Sequence, residues 1–196
     1  MQRKLFLLGA LVLGIPVALT SGCGYNTVID RDEDVKAAWA EVQNQYKRRS
    51  DLVPNLVKVV KGAADFEKKT LQDVVEARSK VAGMKVDSSV IDDPKKLKAF
   101  EAAQGGLSSA LSRLMVVVER YPTLKATQNF QDLQVQLEGT ENRIAVARRR
   151  YIGSIAEYNK VVLRFPTSIG ASLRGKSTRA TFEGEKGADR PPDIDL

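Results

Sequence analysis

The stretch Leu97–Tyr121, LKAFEAAQGGLSSALSRLMVVVERY, decides the fold. Leu97, Phe100, Gln104, Leu107, Leu111, Leu114, Val118 and Tyr121 recur three and four residues apart. That rhythm keeps one face of an α-helix turned to a partner, the pattern of a bundle or coiled-coil seam. Gln104 is its one polar interruption. Gly105-Gly106 weakens the helix by about 1 kcal/mol each relative to alanine, and we read the pair as a point of close approach to a neighbouring helix. Asp93-Pro94 just upstream is a helix-start signal, so the predicted helix covers about 94–120.

The same reading extends in both directions. Tyr121-Pro122-Thr123 makes a turn, and a fourth helix runs from about 124 to 165. Phe130, Leu133, Leu137, Ile144, Ala147, Tyr151, Ile155, Tyr158, Val162 and Phe165 keep one face of it. Upstream, Val35, Trp39, Val42 and Tyr46 mark a first helix over 31–50. Asp51-Leu52-Val53-Pro54 reads as a break, because proline is disfavoured inside a helix, with Asp51 placed to cap the next one. That second helix, 52–82, carries Leu56, Val60, Ala63, Leu71, Val74 and Val81 and ends at Gly83. A polar connection fills 83–93. No strand alternation of useful length occurs. The fold class is therefore all-α: a four-helix, up-and-down antiparallel bundle over 31–166. Residues 167–196 turn rich in Gly, Ser, Lys and Glu and are expected to form a poorly ordered tail, with Phe182, Ile194 and Leu196 available to pin it back.

The chain begins differently. Arg3 and Lys4 precede an apolar run from Leu5 to Leu19, followed by Thr20-Ser21-Gly22-Cys23-Gly24. A basic end, an apolar core and a small-residue exit make an export signal. As a helix the run spans roughly 22 Å, short of the ~30 Å hydrocarbon core, which favours a signal peptide over 1–22. Cys23 behind small residues resembles the lipobox of bacterial lipoproteins, so Cys23 is the candidate lipidation site. Extended to Gly24 the segment also makes a marginal uncleaved anchor. Both readings keep Arg3 and Lys4 inside and put the juncture 23–30 and the bundle on the extracytoplasmic side of a bacterial membrane.

Composition removes several function classes. The 196 residues carry 31 Lys and Arg against 24 Asp and Glu, formally +7, and the excess falls by two when Arg3 and Lys4 go with the N-terminal segment. Acids and bases are interleaved and aromatic residues are 6%, which does not fit a nucleic-acid surface. There is no histidine, hence no His general base, no His zinc ligand and no His-activated nucleophile. Cys23 is the single cysteine, so the domain has no disulfide and depends on core packing. No cofactor and no metal is expected.

Arg48-Arg49-Ser50-Asp51-Leu52-Val53-Pro54-Asn55-Leu56-Val57 resembles the signature of the LemA family. The likeness continues at Glu67, Leu71, Val75, Ala77 and Arg78, returns at Val118–Ala126 and Asn129-Phe130, and is densest from Leu133 through Leu137-Glu138-Gly139-Thr140-Glu141-Asn142-Arg143-Ile144-Ala145. It closes with Ala147-Arg148, Tyr151, Glu157-Tyr158-Asn159 and Phe165-Pro166. Ile152 stands where relatives often have asparagine, and the histidine often found near Glu67 is missing. The resemblance implies a membrane-attached four-helix bundle without an established enzymatic activity, linked through some relatives to magnetosome membranes and to membrane-protein quality control.

Two polar groups carry the functional expectation. Arg48, Arg49, Asp51, Glu67 and Arg78 form either an exposed recognition surface or an ion-pair and capping set around Pro54. Arg78 falls on the apolar seam and needs a partner there, with Glu67 a candidate. Glu141, Asn142, Arg143 and Arg148 form a second group on the fourth helix: a solvated stripe, a partner groove or a polar core layer. We expect a non-enzymatic interaction or assembly protein, working with another protein or with itself. An alternative is binding of anionic cell-wall polymer or lipid headgroups through Lys47, Arg48, Arg49, Arg148, Arg149 and Arg150. A carboxylate-pair hydrolase would need Glu67 and Glu141 together.

Overall fold

The computed structural model describes residues 2–64 and 66–182, with side chains from 26 onward except Ser88. The helices are α1 (Gln2–Lys61), α2 (Lys68–Ala82), α3 (Pro94–Val118), α4 (Pro122–Lys125), α5 (Gln128–Leu163) and α6 (Thr167–Leu173), with a 3₁₀ turn at Ser88–Val90. The described residues contain no strand. Cross-helix pairs fix the directions. Trp39 meets Tyr151 while Arg49 meets Glu141, so α1 and α5 are antiparallel. Trp39 meets Phe100 while Arg49 meets Ser108, so α1 and α3 are parallel. Glu67 pairs with Arg120 and Asp73 with Arg113, so α2 runs against α3. The result is the expected up-and-down bundle.

The seam of α3 is buried as its spacing requires: Leu97, Phe100, Gln104, Leu107, Leu111, Leu114 and Val118 all face inward. Asp93 starts the helix, its Oδ1 accepting from the Lys95 and Lys96 backbone N–H at 2.8 and 3.4 Å. Gly105 and Gly106, however, are exposed, and a β-carbon at either meets nothing within 4 Å. They sit on the outer face, and the close approach expected of them does not exist.

The break expected at Asp51–Pro54 is also absent. α1 continues through Pro54 to Lys61, and Asp51 is an exposed mid-helix residue instead of a cap. The helix ends after Lys61, where the Gly62 and Ala63 N–H bond back to the Val59 and Val60 carbonyls at 3.1 Å. A proline inside a helix leaves the carbonyl four residues earlier without its N–H partner. Here that carbonyl belongs to Ser50, and it accepts the Arg78 Nε–H from α2 at 3.1 Å. The neighbouring helix thus satisfies the group that Pro54 orphans.

Two apolar cores result. The far core joins Val53, Leu56, Val60, Leu71 and Val74 with Leu107–Val118, Phe130 and Leu137, all from helices and their turns. The near core, on the side where α1 leaves the N-terminal segment, joins Val28–Tyr46, Leu97, Phe100 and Ile144–Val162. α2 ends at Ala82 and cannot wall this half. Its place is taken by Val90 and Ile91 of the connection and by Ala171 and Phe182. Residues 167–182 are therefore seated on the bundle, where a poorly ordered tail was expected. Phe182 packs on Tyr151 and Trp39 at 5.2 and 6.2 Å between ring centres. Tyr158 Oη–H donates to the Ser177 carbonyl at 3.2 Å, and the Asn159 amide exchanges two bonds with the Arg179 backbone. Phe182 acts as the pin anticipated for it; Ile194 and Leu196 lie outside the described residues.

Candidate functional site

Between the two cores lies a polar layer centred on Arg49, which is 1% exposed. Its Nη1 donates to Ser108 Oγ at 2.6 Å and to Glu141 Oε1 at 3.0 Å. Its Nη2 donates to the Gln104 carbonyl at 3.0 Å and to Gln104 Oε1 at 2.5 Å. One guanidinium therefore ties α1, α3 and α5 at a single level. The planar fork is what makes four simultaneous bonds possible. Thr140 is buried in the same layer, and its hydroxyl donates to the Gln136 carbonyl at 2.7 Å. Tyr46 stacks under the guanidinium at 5.0 Å. Burial raises the Tyr46 phenol above its ordinary value, against the pull of Arg148 and Arg49. A cleft of about 510 Å³ opens beside the layer under the end of α2, lined in part by Ser50, Asp51, Arg78 and Gln104.

The structure sorts the sequence candidates. Buried Arg49 meets Glu141 at the edge of the layer, where the Glu141 side chain is 43% exposed. Arg78 is half-buried and spent on the Ser50 carbonyl, not on Glu67. Glu67 pairs instead with Arg120 at 2.8 Å at the far end of α3. Glu141 lies at the level of Ser108, so along α3 the two glutamates are separated by roughly 20 Å, which rules out their joint action as a carboxylate pair. Arg148 bonds Glu101 at 3.4 Å and covers the Phe182 ring at 4.4 Å. Its cation thus helps hold the C-terminal strap. Arg48, Asn142 and Arg143 are exposed and, with Arg150 and Glu41, line one cleft of about 560 Å³ between α1 and α5. The side chain of Cys23 lies outside the described residues.

A second polar cluster went unread in the sequence. Asp32 is buried; its carboxylate takes Lys36, Lys176 and Arg179 at 3.2, 3.0 and 2.9 Å. Arg179 also reaches Asp92 at 3.2 Å and covers the Tyr158 ring at 5.1 Å. Burial alone would raise the Asp32 carboxyl, but the Lys176 bond and the Arg179 charge outweigh it and hold the pKa below its usual value. Asp32 and Arg179 belong to opposite ends of the domain, and no local spacing signals their meeting. Among the described residues no three His, Cys, Asp or Glu side chains converge as metal ligands. None of their helices is long and apolar enough to cross a membrane.

An all-α bundle with a buried guanidinium layer, closed by a C-terminal strap, defines the structural class. The LemA family model matches residues 38–196, and the chain belongs to that family. It is 27% identical over 183 residues to magnetosome protein MamQ 2 of Paramagnetospirillum magneticum, covering 85% of this chain and 67% of that protein. Magnetosome protein MamQ of Magnetospirillum gryphiswaldense matches at the same identity and coverage. Protein LemA of Metamycoplasma hominis is 24% identical over 186 residues, covering 94% and 80%.

Proposed function

We propose that the chain is a membrane-anchored, non-enzymatic helical bundle that assembles with another protein or with itself on the extracytoplasmic side. Residues 1–22 serve as export signal or anchor, and Cys23, in the lipoprotein form, carries the lipid. The observation that carries the non-enzymatic reading is the Arg49 layer. Arg49, at the centre of the motif's densest polar cluster, is buried and spends both terminal nitrogens on Gln104, Ser108 and Glu141, with its Nε unpaired among the described residues. That arrangement is a strut between helices: the Ser108 hydroxyl beside it accepts from the guanidinium, and the chain has no histidine to activate it. The names of the magnetosome relatives support a part in membrane-linked assembly. Crosslinking the full chain in its native membrane, followed by mass spectrometry, tests this: recurrent crosslinks to one protein or to a second copy are expected, and a solitary monomer overturns it. Replacing Cys23 by Ser and following labelled fatty acid separates lipoprotein from uncleaved anchor.

A second reading, binding of an anionic envelope polymer, draws support from the cleft that gathers Arg48, Arg143 and Arg150. Arg49 is buried and drops out of that surface. Pull-down onto wall polymer at low and moderate salt tests it, since exposed charge contacts weaken as screening rises.

A further inference from the structure

The exposed leucines and phenylalanine of the described residues all lie at one corner. Leu163 ends α5, Phe165 follows it, and Leu173 ends α6; they are 69%, 81% and 84% exposed, with Ile169 at 56% between them. Ile169 and Leu173 are four residues apart and share one face of α6. Ala171, on the opposite face, is the residue buried in the core. α6 is therefore turned inside out for a helix in water: one alanine inward, two large apolar residues outward. Single exposed apolar residues need no explanation, but a cluster of leucine, phenylalanine and isoleucine at one corner marks a contact surface. Arg164 and Arg174 flank it. From Glu157 to Phe182 the chain carries Lys160, Arg164, Arg174, Lys176 and Arg179 against the single acid Glu157. The adjacent turn of α1 carries Asp30, Asp32, Glu33 and Asp34 with Arg31; Asp32 is taken by Lys176 and Arg179, Glu33 by Lys36 and Asp34 by Arg31.

Position says what covers the corner. Ala171 packs into the core that holds Val28, and Lys176 reaches Asp32, so α6 lies beside α1 at Val28–Asp32. Val28 follows Cys23 by five residues and Leu19 by nine, roughly 8 and 14 Å at 1.5 Å per helical residue. A lipid on Cys23 and a helix anchor ending near Leu19 both bring this end of the bundle to the bilayer surface. Apolar side chains flanked by cations at that depth have the composition of an interfacial membrane contact.

We propose that Leu163, Phe165, Ile169 and Leu173 form a foot that dips into the bilayer interface and sets the bundle upright on it. The proposal rests on the membrane anchoring argued above. The test uses the full chain in vesicles of phosphatidylethanolamine and phosphatidylglycerol, with a photoreactive phenylalanine analogue placed singly at 173, at 165, or at 135. Val135 is also exposed but sits on the far half of α5, roughly 40 Å along the helix from Leu163. Lipid adducts several-fold more abundant at 173 and 165 than at 135 are expected. Equal adduct yields at all three positions, or adducts to a second copy or to residues 183–196 in place of lipid, overturn the foot. A chain that fails to float with the vesicles at all overturns the anchoring itself, a distinguishable result. The two foot positions guard against a misfolded variant, since both side chains lie outside the core.

Discussion

The far and near halves of the bundle are closed by different materials. In the far half the walls are helices, and the core is sealed by α1, α2, α3 and α5 with Leu124 of α4 and Phe66 just before α2. In the near half α2 is missing, and the fourth wall is Ile91 from the connection together with Ala171 and Phe182. The far half is held by a repeating apolar seam whose register is local. The near half is held by contacts between opposite ends of the domain, such as Lys176 and Arg179 on Asp32. The Arg49 layer sits between them. A seam degrades gradually under mutation, whereas a strap is lost as a unit.

Removing Arg49 is expected to have the largest effect, because it disturbs both halves. Arg49→Ala deletes four hydrogen bonds and leaves Gln104 unpaired between two cores, a loss on the order of 3–5 kcal/mol. Urea unfolding checks the value. The double variant Arg49→Met with Gln104→Leu should recover most of it, since apolar residues of similar volume replace a buried polar set well. Recovery shows that the layer is structural; failure of the pair to refold shows that it selects the register of the bundle.

Phe182→Ala acts on the near half alone. Truncating a buried phenylalanine costs about 3–5 kcal/mol, and the loss should appear as faster hydrogen exchange in 167–182 and α1 residues 28–46, with α2 unchanged. Equal acceleration in both halves would mean that the strap is part of one indivisible core.

Alkali and acid sharpen the same contrast. Burial raises the phenols of Tyr46, Tyr151 and Tyr158, and all three belong to the near core. A raised acid favours the neutral form in the fold. Its stabilisation is complete below the ordinary tyrosine value of 10.0 and is lost as pH climbs beyond it. Trp39, the only tryptophan, stands in that core and reports it by fluorescence. Asp32 behaves oppositely: its carboxyl is held low, so its contribution is complete above 3.8 and is lost as pH falls further. The strap should then release first, read at that pH as pepsin cleavage next to Leu173 or Phe182.

What the sequence revealed follows the same division. Periodicity reports apolar faces, so the seams of α3 and α5 and the cap at Asp93 were legible. Phe165 was placed on the buried face by spacing alone, yet it lies beyond the end of α5 and is exposed. The strap was legible only as Phe182, because Asp32 and Arg179 meet through tertiary folding. Pro54 misled for a physical reason: a proline breaks a helix when its orphaned carbonyl has no other donor, and Arg78 supplies one. The comparison of Pro54 with Arg78 is itself a test. Arg78→Met should cost about 1–2 kcal/mol by leaving the Ser50 carbonyl without its donor. In a Pro54→Ala background the helix N–H returns to that carbonyl, and the same change should cost measurably less by urea unfolding. Equal costs in both backgrounds would remove the link.

The smallest effect lies on the outer face of α3. Gly105 and Gly106 have open space where a β-carbon would stand, and neither has a positive φ. Nothing in the fold requires glycine there, while glycine leaves the unfolded chain more freedom than alanine does. Gly105→Ala or Gly106→Ala should therefore raise stability by about 0.5–1 kcal/mol each in urea unfolding. The positions directly follow Gln104, at the boundary between the two halves. A gain with unchanged crosslinking in the membrane says that the glycines are only weak helix formers. A gain in stability joined to a loss of crosslinks says that another chain approaches α3 closely at this level, where a side chain gets in the way.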